Sequence, residues 1–276
     1  MDGVVAHGVD LSKTTTVVCD LDGVVYVGAE PVPGAGPALL QIDRAGIDLL
    51  FATNNSTKTP ADTAAAIADR AGYTARADQV ITSGLATAQW MGDDVSSALV
   101  VGEQGLVDTI RDAGIEVVGM HDHPEAVVVG LDRDFDYGKL AAAARAVRRG
   151  AALYATNIDP TLPTPEGLDP GCGAIVAAVE RASGIEAVVC GKPYPPMESL
   201  IADRAAGAEI VVVGDRPDTD LAVGRKAGWS SILVLTGVTS GAEEVPAELS
   251  PTAVVASLAD VPPLLGVGRD GRGRHR

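Results

Sequence analysis

One stretch of the sequence decides the fold, VVCDLDGVV at residues 17–25. A β-branched apolar run ends there in two aspartates one residue apart, and a glycine follows. Side chains alternate between the two faces of a strand, so Asp20 and Asp22 begin on the same side where the strand ends. Two carboxylates so close repel each other unless a cation or a shared proton intervenes, and Mg²⁺ favours such hard oxygen ligands. Taken alone, the pair fits two solvated loop acids better than a metal site.

The rest of the chain alternates short β-branched runs with alanine-rich helical segments. Proline opens two predicted helices, at Pro60 and Pro195, and glycine follows several others. This alternation is typical of an α/β fold with a parallel sheet. Continuous apolar strands such as 210–213 indicate burial on both faces of that sheet. The predicted fold class is therefore α/β.

Polar side chains follow four of the predicted strands, where a parallel α/β sheet binds its ligands. Carboxylates can hold Mg²⁺, hydroxyl and amide groups can donate to phosphoryl oxygens, and an ammonium can neutralise phosphate charge. The combination matches phosphoryl transfer, in which positioning and charge stabilisation do most of the catalysis. The four strand ends carry Asp20 and Asp22; Thr53, Asn54 and Asn55; Gly191 and Lys192; Asp215 and Asp220.

The order of these motifs resembles the haloacid dehalogenase superfamily. More narrowly, the chain is similar to subfamily IIA, the NagD-like or p-nitrophenylphosphatase-like phosphatases, over essentially residues 17–239. The resemblance implies a Rossmann-like parallel-sheet core with a large α/β cap of the C2 type, inserted between the second and third motifs. In chain order the motifs are DLDGV at 20–24, TNN at 53–55, GKP at 191–193 and GDRPDTD at 214–220.

The resemblance assigns the carboxylates to a Mg²⁺ site and to the chemical step. Asp20 would be the nucleophile and a metal ligand. Asp22 would be the general acid and base, with its backbone carbonyl on the metal. Asp215 would complete the metal site, and Asp220 would support it.

The other motif residues are assigned to the phosphoryl group. Thr53 would hydrogen-bond to that group, helped by the amides of Asn54 and Asn55. Lys192 would stabilise the charge of the nucleophile and of the phosphate. These assignments follow from the resemblance, residue by residue.

The resemblance also divides the chain. Residues 1–82 plus 186–265 would form the core, 83–185 the cap and 266–276 a disordered tail. Within the cap, ATNIDPTLPT at 155–164 closely resembles a segment that faces the active site in this group. Asn157 and Asp159 are therefore candidate substrate contacts. A purely structural turn is an equal alternative, since Asn, Asp and Pro are turn residues.

Composition limits the partners and the compartment. The net charge of −16 disfavours nucleic acid and anionic membranes, but it does not exclude a small anionic substrate. Three cysteines without paired spacing fit a reducing cytoplasm. No signal peptide or bilayer-spanning run is expected. A homodimer formed through the cap is a further expectation.

The expected function is a cytoplasmic Mg²⁺-dependent phosphatase that cleaves a small phosphomonoester through an aspartyl-phosphate. Relatives of this group in high-GC actinobacteria, whose composition this chain resembles, include glycerol 3-phosphate phosphatases. Glycerol 3-phosphate is thus the first expected substrate. Nucleoside monophosphates, phosphoglycolate, sugar phosphates and pyridoxal phosphate stay open. So do a phosphotransferase or phosphomutase and a non-catalytic phosphate-binding protein.

Overall fold

The computed structural model describes residues 9–164 and 167–268, and these residues form two compact units. Each unit is built from separate stretches of the chain, as expected when a segment is inserted into a core. The first unit is drawn from Met1–Ala52, Thr63–Val80 and Ile201–Arg276, and the second from Thr53–Asp62 and Ile81–Leu200.

The second unit contains the whole of the predicted cap at 83–185. It also contains residues 53–62 and 186–200, which the sequence-based boundaries place in the core. The division into core and cap at 82/83 and 185/186 remains a prediction. The predicted disordered tail at 266–276 falls largely on residues 269–276, which lie outside the described residues.

Strands and helices alternate along most of the described chain. The strands are β1 Thr16–Cys19, β2 Tyr26–Val27, β3 Glu30–Pro31, β4 Asp48–Thr53, β5 Val80–Thr82, β6 Ser97–Val101, β7 Glu116–Val117, β8 Ala126–Val129, β9 Ala152–Ala155, β10 Thr161–Thr164, β11 Gly167–Pro170, β12 Val188–Val189, β13 Ile210–Gly214, β14 Ser230–Val234 and β15 Ala253–Val255. The helices are α1 Ala35–Arg44, α2 Pro60–Ala71, α3 Ser83–Met91, α4 Gln104–Asp112, α5 Tyr137–Arg148, α6 Cys172–Ser183, α7 Pro195–Ala205, α8 Ala222–Ala227 and α9 Val261–Leu264.

Local sequence explains where several helices begin. α2 and α7 start at Pro60 and Pro195, because the fixed φ of proline suits the first turn of a helix. The Asp136 carboxylate caps α5 by accepting a backbone hydrogen bond of 2.8 Å. The Thr82 hydroxyl caps α3 in the same way, at 3.1 Å.

The sheet of the first unit has the strand order β15-β14-β13-β1-β4-β5. β1 lies between β13 and β4 and runs parallel to both, with Cys19 opposite Val213 on one side and Phe51 on the other. Every residue of β1 and β13 is buried, which confirms the predicted burial on both faces. Because parallel strands end at one edge, the residues after β1 and β13 emerge together.

The second unit has its own parallel sheet, in the order β12-β9-β8-β6-β7. Apolar residues form two separate buried clusters in this unit. One is centred on Val127 and Val129 of β8 and the other on Val128, so the two clusters lie on opposite faces of the sheet. The inserted segment therefore folds as α/β structure with a core of its own, and the predicted α/β class is confirmed.

Several elements differ from the sequence-based interpretation, and they include the short strands β2, β3, β5, β7 and β15, which are not predicted. Helix α3 is not predicted, because Ser, Gly and Thr in SGLATAQWM dilute the helical pattern. The hairpin of β10 and β11 is not predicted, since prolines within it disfavour strands. After β13, a π-helical turn at Pro217–Leu221 leads into α8. Among the described residues, no helix is both long and apolar enough to cross a bilayer.

Candidate active site

Three buried carboxylates lie together at the carboxyl edge of the first sheet. Asp20 follows β1, Asp215 follows β13, and Asp220 lies in the π-helical turn; one oxygen of each lies within 4.8 Å of the others. Asp215 and Asp220 are each only 1% exposed. Burial of three carboxylates side by side is costly, because they repel one another and lose hydration. A hard divalent cation relieves both costs, so this set of oxygen donors fits Mg²⁺.

Backbone hydrogen bonds place Asp20 at this edge. Its N–H donates to the Val213 carbonyl at 2.9 Å, which extends the pairing of β1 with β13 by one residue. The chain then turns, and the Leu21 carbonyl accepts the N–H of Tyr26 at 3.2 Å. Gly23 adopts φ +87°, a left-handed conformation that favours glycine, and its N–H donates to the Tyr26 carbonyl at 2.8 Å.

A loop that follows β14 holds Asp215. The Val238 N–H donates to Asp215 Oδ2 at 2.6 Å, and the Thr236 hydroxyl donates to the Gly23 carbonyl at 2.6 Å. A Cβ on Gly23 would lie 2.5 Å from Asp215 Oδ2, and a Cβ on Gly237 would collide with the same carboxylate. Sequence reasoning missed this loop. The loop comes directly after the apolar strand β14, and that position was the signal that could have found it.

Asp22 lies on the exposed side of the turn, and its carboxylate is outside the cluster of Asp20, Asp215 and Asp220 in the described residues. The nearby Tyr26 phenol is buried, and its ring lies 4.4 Å from the Arg70 guanidinium. Burial raises the pKa of Tyr26, and the charge of Asp22 raises it further. The phenol is therefore neutral at physiological pH.

In the second unit, Thr53 ends β4 and begins a tight polar loop. The Asn55 N–H donates to Thr53 Oγ1 at 3.1 Å. The Asn55 side chain accepts from the Thr57 N–H at 2.9 Å and from the Thr57 hydroxyl at 2.8 Å, which is an Asx turn. Because Thr53 Oγ1 accepts a hydrogen bond here, its hydroxyl proton is directed elsewhere and can donate to an anion.

Lys192 lies shortly after β12 and is only 4% exposed. The Asn54 side chain forms two hydrogen bonds to the backbone of Lys192. Its Oδ1 accepts from the Lys192 N–H at 2.7 Å, and its Nδ2 donates to the Lys192 carbonyl at 3.2 Å. The peptide bond between Lys192 and Pro193 is cis. Asn54 and Lys192, which the sequence separates by 138 residues, are thus brought together in one unit.

Asn157 and Asp159 also lie at this loop. The Asn157 amide donates to the Asn54 carbonyl at 2.8 Å, and its side-chain oxygen accepts from the Asp159 N–H at 3.1 Å. The Asp159 carboxylate accepts from Asn54 Nδ2 at 3.4–3.5 Å. The bond between Asn157 and the Asp159 N–H closes an Asx-type turn, and that turn is attached to the loop after β4. Ser83, which sequence reasoning missed, donates to the same Asn54 carbonyl at 2.6 Å.

A fold does not by itself specify a function, so known proteins of similar sequence identify the class of this one. The model for the haloacid dehalogenase-like hydrolase family matches residues 17–116, and a related HAD-hydrolase-like model matches residues 189–261. The D-glycerol 3-phosphate phosphatase of Mycobacterium tuberculosis is 39% identical over 236 residues, which are 84% of this chain and 66% of that protein. The chain thus spans slightly less than two thirds of the length of that relative.

Two further matches cover more of the other protein. The acid sugar phosphatase of Staphylococcus saprophyticus is 36% identical over 88% of this chain and 94% of its own length. The crystal structure of the M. tuberculosis glycerol phosphate phosphatase in complex with magnesium is 36% identical, with a TM-score of 0.82 over 91% of this chain and 78% of that one.

This chain belongs to the haloacid dehalogenase-like hydrolases. The predicted superfamily and its NagD-like branch are confirmed. The roles of individual residues remain predictions.

Proposed function

We propose that this protein is a Mg²⁺-dependent phosphatase that hydrolyses a small phosphomonoester through an aspartyl-phosphate. The observation that carries the proposal is the buried cluster of Asp20, Asp215 and Asp220, with oxygens within 4.8 Å of one another. Its members follow the two central strands β1 and β13, at the motif positions that define the family. Phosphatase relatives matching most of this chain support the same reaction.

Asp20, Asp215 and Asp220 would hold Mg²⁺, together with the backbone carbonyl of Asp22. When bound, the ion supplies positive charge that offsets the negative charge of the phosphoryl group and of the attacking carboxylate. Asp220 was expected only to support the metal site, but its carboxylate lies in the cluster itself. Direct ligation by Asp220 therefore becomes part of the proposal.

Asp20 and Asp22 divide the chemistry. In the first step a carboxylate oxygen of Asp20 attacks phosphorus, and the bond between phosphorus and the ester oxygen breaks. Protonated Asp22 gives its proton to the leaving oxygen, which departs as an alcohol. In the second step Asp22 takes a proton from water, whose oxygen attacks phosphorus. Inorganic phosphate leaves, and the Asp20 carboxylate is regenerated. The exposure of Asp22 suits a group that exchanges protons with substrate and water.

Three groups of the second unit would hold the phosphoryl oxygens. The Thr53 hydroxyl donates, since its oxygen already accepts from Asn55. Backbone amides of Asn54 and Asn55 are further candidates. The Lys192 ammonium adds positive charge. Because the residue is buried, little water screens the attraction between this charge and the phosphoryl oxygens.

Glycerol 3-phosphate is the first candidate substrate, supported by the 39% identical relative of that name. A sugar phosphate is the second candidate. The relative named acid sugar phosphatase, which this chain covers over 94% of its length, favours it specifically. Asn157 and Asp159 are candidate contacts to the rest of the substrate.

The cysteines and the net charge bear on the compartment and the partner of the protein. Cys19, Cys172 and Cys190 are buried and form no disulfide within the described chain, which supports a cytoplasmic protein. The acidic net charge supports a small phosphorylated metabolite as the partner, rather than nucleic acid or an anionic membrane. A homodimer through residues 83–185 remains part of the proposal.

Phosphate release from a panel of esters tests this function. The panel contains both enantiomers of glycerol 3-phosphate, sugar phosphates, nucleoside monophosphates, phosphoglycolate and pyridoxal phosphate, ranked by kcat/KM. We expect the glycerol phosphates to rank first, chelation by EDTA to abolish release and added Mg²⁺ to restore it. Release that persists in EDTA would overturn the metal dependence. Transfer of phosphate only to an added acceptor would identify a phosphotransferase, and an inert protein that binds the esters would identify a binding protein.

A further inference from the structure

We propose that the Asn54 side chain is a positioning residue for Lys192, and that Asp159 of the inserted segment sets its orientation. This inference rests on the proposed function, because it concerns where the Lys192 ammonium is held. The family resemblance assigns an amide of Asn54 to the phosphoryl group. The structure gives its side chain a separate task.

The amide of one side chain, Asn54, pairs with the backbone of one residue, Lys192. Asn54 Oδ1 accepts from the Lys192 N–H at 2.7 Å, and Asn54 Nδ2 donates to the Lys192 carbonyl at 3.2 Å. Both polar groups of the Lys192 backbone are thus satisfied by a single planar side chain. Two hydrogen bonds from a planar group fix distance and direction together, as a single hydrogen bond cannot.

The two ends of the Asn54 amide face different partners. Oxygen and nitrogen of an Asn side chain have nearly the same shape, so neighbouring groups decide their orientation. The Asp159 carboxylate lies 3.4–3.5 Å from Asn54 Nδ2 and, when ionised, can only accept hydrogen bonds. It therefore favours the NH₂ group on its own side and leaves the oxygen for the Lys192 N–H.

The backbone of Asn54 is held as well. Its carbonyl accepts from the Ser83 hydroxyl at 2.6 Å and from Asn157 Nδ2 at 2.8 Å. Asn157 in turn accepts from the Asp159 N–H at 3.1 Å. Two residues of the inserted segment, Ser83 and Asn157, therefore hold the backbone of Asn54, while its side chain contacts Lys192.

Gly191, beside Asn54 and Lys192, has no space for a side chain. A Cβ on Gly191 would lie 2.5 Å from the Thr156 carbonyl oxygen and 2.6 Å from Asn54 Oδ1. The segment that carries Lys192 thus comes as close to Asn54 as a glycine permits. Lys192 has a long, flexible side chain, and a fixed backbone narrows the range of positions that its buried ammonium can reach. A displacement of about 1 Å at a catalytic group can cost on the order of a hundredfold in rate.

The decisive variant is Asn54→Asp, which keeps the shape and the acceptor but replaces the NH₂ donor. The new oxygen would face the Lys192 carbonyl and the Asp159 carboxylate, both of which are acceptors. We expect kcat to fall by about 10- to 100-fold, with a smaller change in KM, since Lys192 acts on the charge that develops during reaction. The matched control is Gln104→Glu, an exposed amide that donates to Asp108 at 2.7 Å. It should leave kcat within about twofold.

A double-mutant cycle separates positioning from simple destabilisation. In a Lys192→Ala background, Asn54→Asp should lower kcat by less than about threefold, because the group it positions is gone. Adding Asp159→Asn to Asn54→Asp should recover at least about fivefold in kcat, since the exchanged pair again contains a donor and an acceptor. Thermal unfolding is measured for every variant.

Fully multiplicative losses for Asn54 and Lys192, or an unchanged kcat in Asn54→Asp, would overturn the inference. If Asn54→Asp does not fold, Asn54→Ser goes through the cycle with Lys192→Ala and is expected to show the same loss in kcat, also confined to the background that keeps Lys192; the rescue by Asp159→Asn is then not used. Failure of the proposed function is distinguishable, because the wild-type protein would then release no phosphate from any ester.

Discussion

The two parallel sheets of this protein are built alike but end in opposite chemistry. In the first unit, the strands β1 and β13 lead to the buried carboxylates Asp20 and Asp215. In the second unit, β9 and β12 lead to the amide of Asn157 and the ammonium of Lys192. A parallel sheet offers a binding edge, but the residues after its strands decide which ligand that edge can take. One edge is suited to a cation and the other to an anion.

The two edges also differ in how their side chains are held. Glycines and backbone N–H groups surround the carboxylates of the first unit, where Gly23 and Gly237 leave space only for Asp215. In the second unit, side-chain amides connect distant segments, with Asn54 at the centre. The first arrangement suits a compact ion, and the second controls the position of a long, flexible side chain.

The largest effect should come from the first edge. Asp20→Asn removes the nucleophile while it keeps the shape of the side chain, so we expect kcat to fall by at least about a thousandfold. Phosphate release under saturating substrate measures it. Asp10→Asn, an exposed aspartate that caps the turn at Leu11–Lys13, is the matched control and should stay near wild-type activity. Activity of Asp20→Asn close to that of the wild type would rule out the proposed mechanism.

Gly237→Ala tests whether the first edge is a metal site. The added Cβ would collide with the Asp215 carboxylate. We expect the Mg²⁺ concentration needed for half-maximal activity to rise by about tenfold or more, as is typical when a metal ligand is displaced. Calorimetric titration with Mg²⁺ provides a second measurement.

Gly224→Ala is the control for this change, because a Cβ there meets its nearest neighbour at an ordinary 3.5 Å. Unchanged Mg²⁺ affinity in Gly237→Ala would argue against Asp215 as a ligand.

Gly191→Ala tests whether the edge that carries Lys192 affects kcat independently of Mg²⁺ binding. Its Cβ would press on the Thr156 carbonyl oxygen and on Asn54 Oδ1. We expect kcat to fall by about tenfold through displacement of Lys192, while Mg²⁺ affinity stays within about twofold. Rate measurements and Mg²⁺ titration on the same preparation separate the two quantities. Loss of Mg²⁺ affinity in this variant would show that the two edges do not act separately.

The smallest effects concern the buried thiols of the second unit. Burial raises the pKa of Cys172 to about 11 and that of Cys190 to about 12, from an ordinary value of 9.0. Both thiols therefore hold their protons more tightly in the folded protein than in the unfolded chain. Stability from this source is complete below about pH 9 and is lost as pH rises from about 9 to 12. Urea unfolding at stepped pH measures the decline.

The same shifts predict slow alkylation of Cys172 and Cys190 by iodoacetamide at pH 7.5, since the thiolate is the reactive form. In urea both residues should react at the rate of an ordinary thiol. Rapid labelling of the folded protein would contradict their burial.

Much of the fold could be predicted because local and global signals agree. Pro60 and Pro195 mark the starts of α2 and α7, and the all-apolar strands β1 and β13 are buried on both faces as their composition indicates. Helix α3 escaped prediction because its stability comes from burial and from the Thr82 cap, whereas its own sequence is a weak helix former. The role of the loop at 236–238 was not predicted, because Thr, Gly and Val form no recognisable site motif. The loop acts only through the contact of the Val238 N–H with Asp215, which the fold creates.

The sequence by itself determined the α/β class, the motif order and the residue types available for phosphoryl transfer. These properties are local, since strand periodicity, helix caps and turn residues act over a few positions. Only the tertiary structure decided that Asp220 joins Asp20 and Asp215, and that the Asn54 side chain contacts Lys192. Those contacts join residues up to about two hundred positions apart. Strand order and the direction of individual hydrogen bonds decide them, and a linear pattern specifies neither.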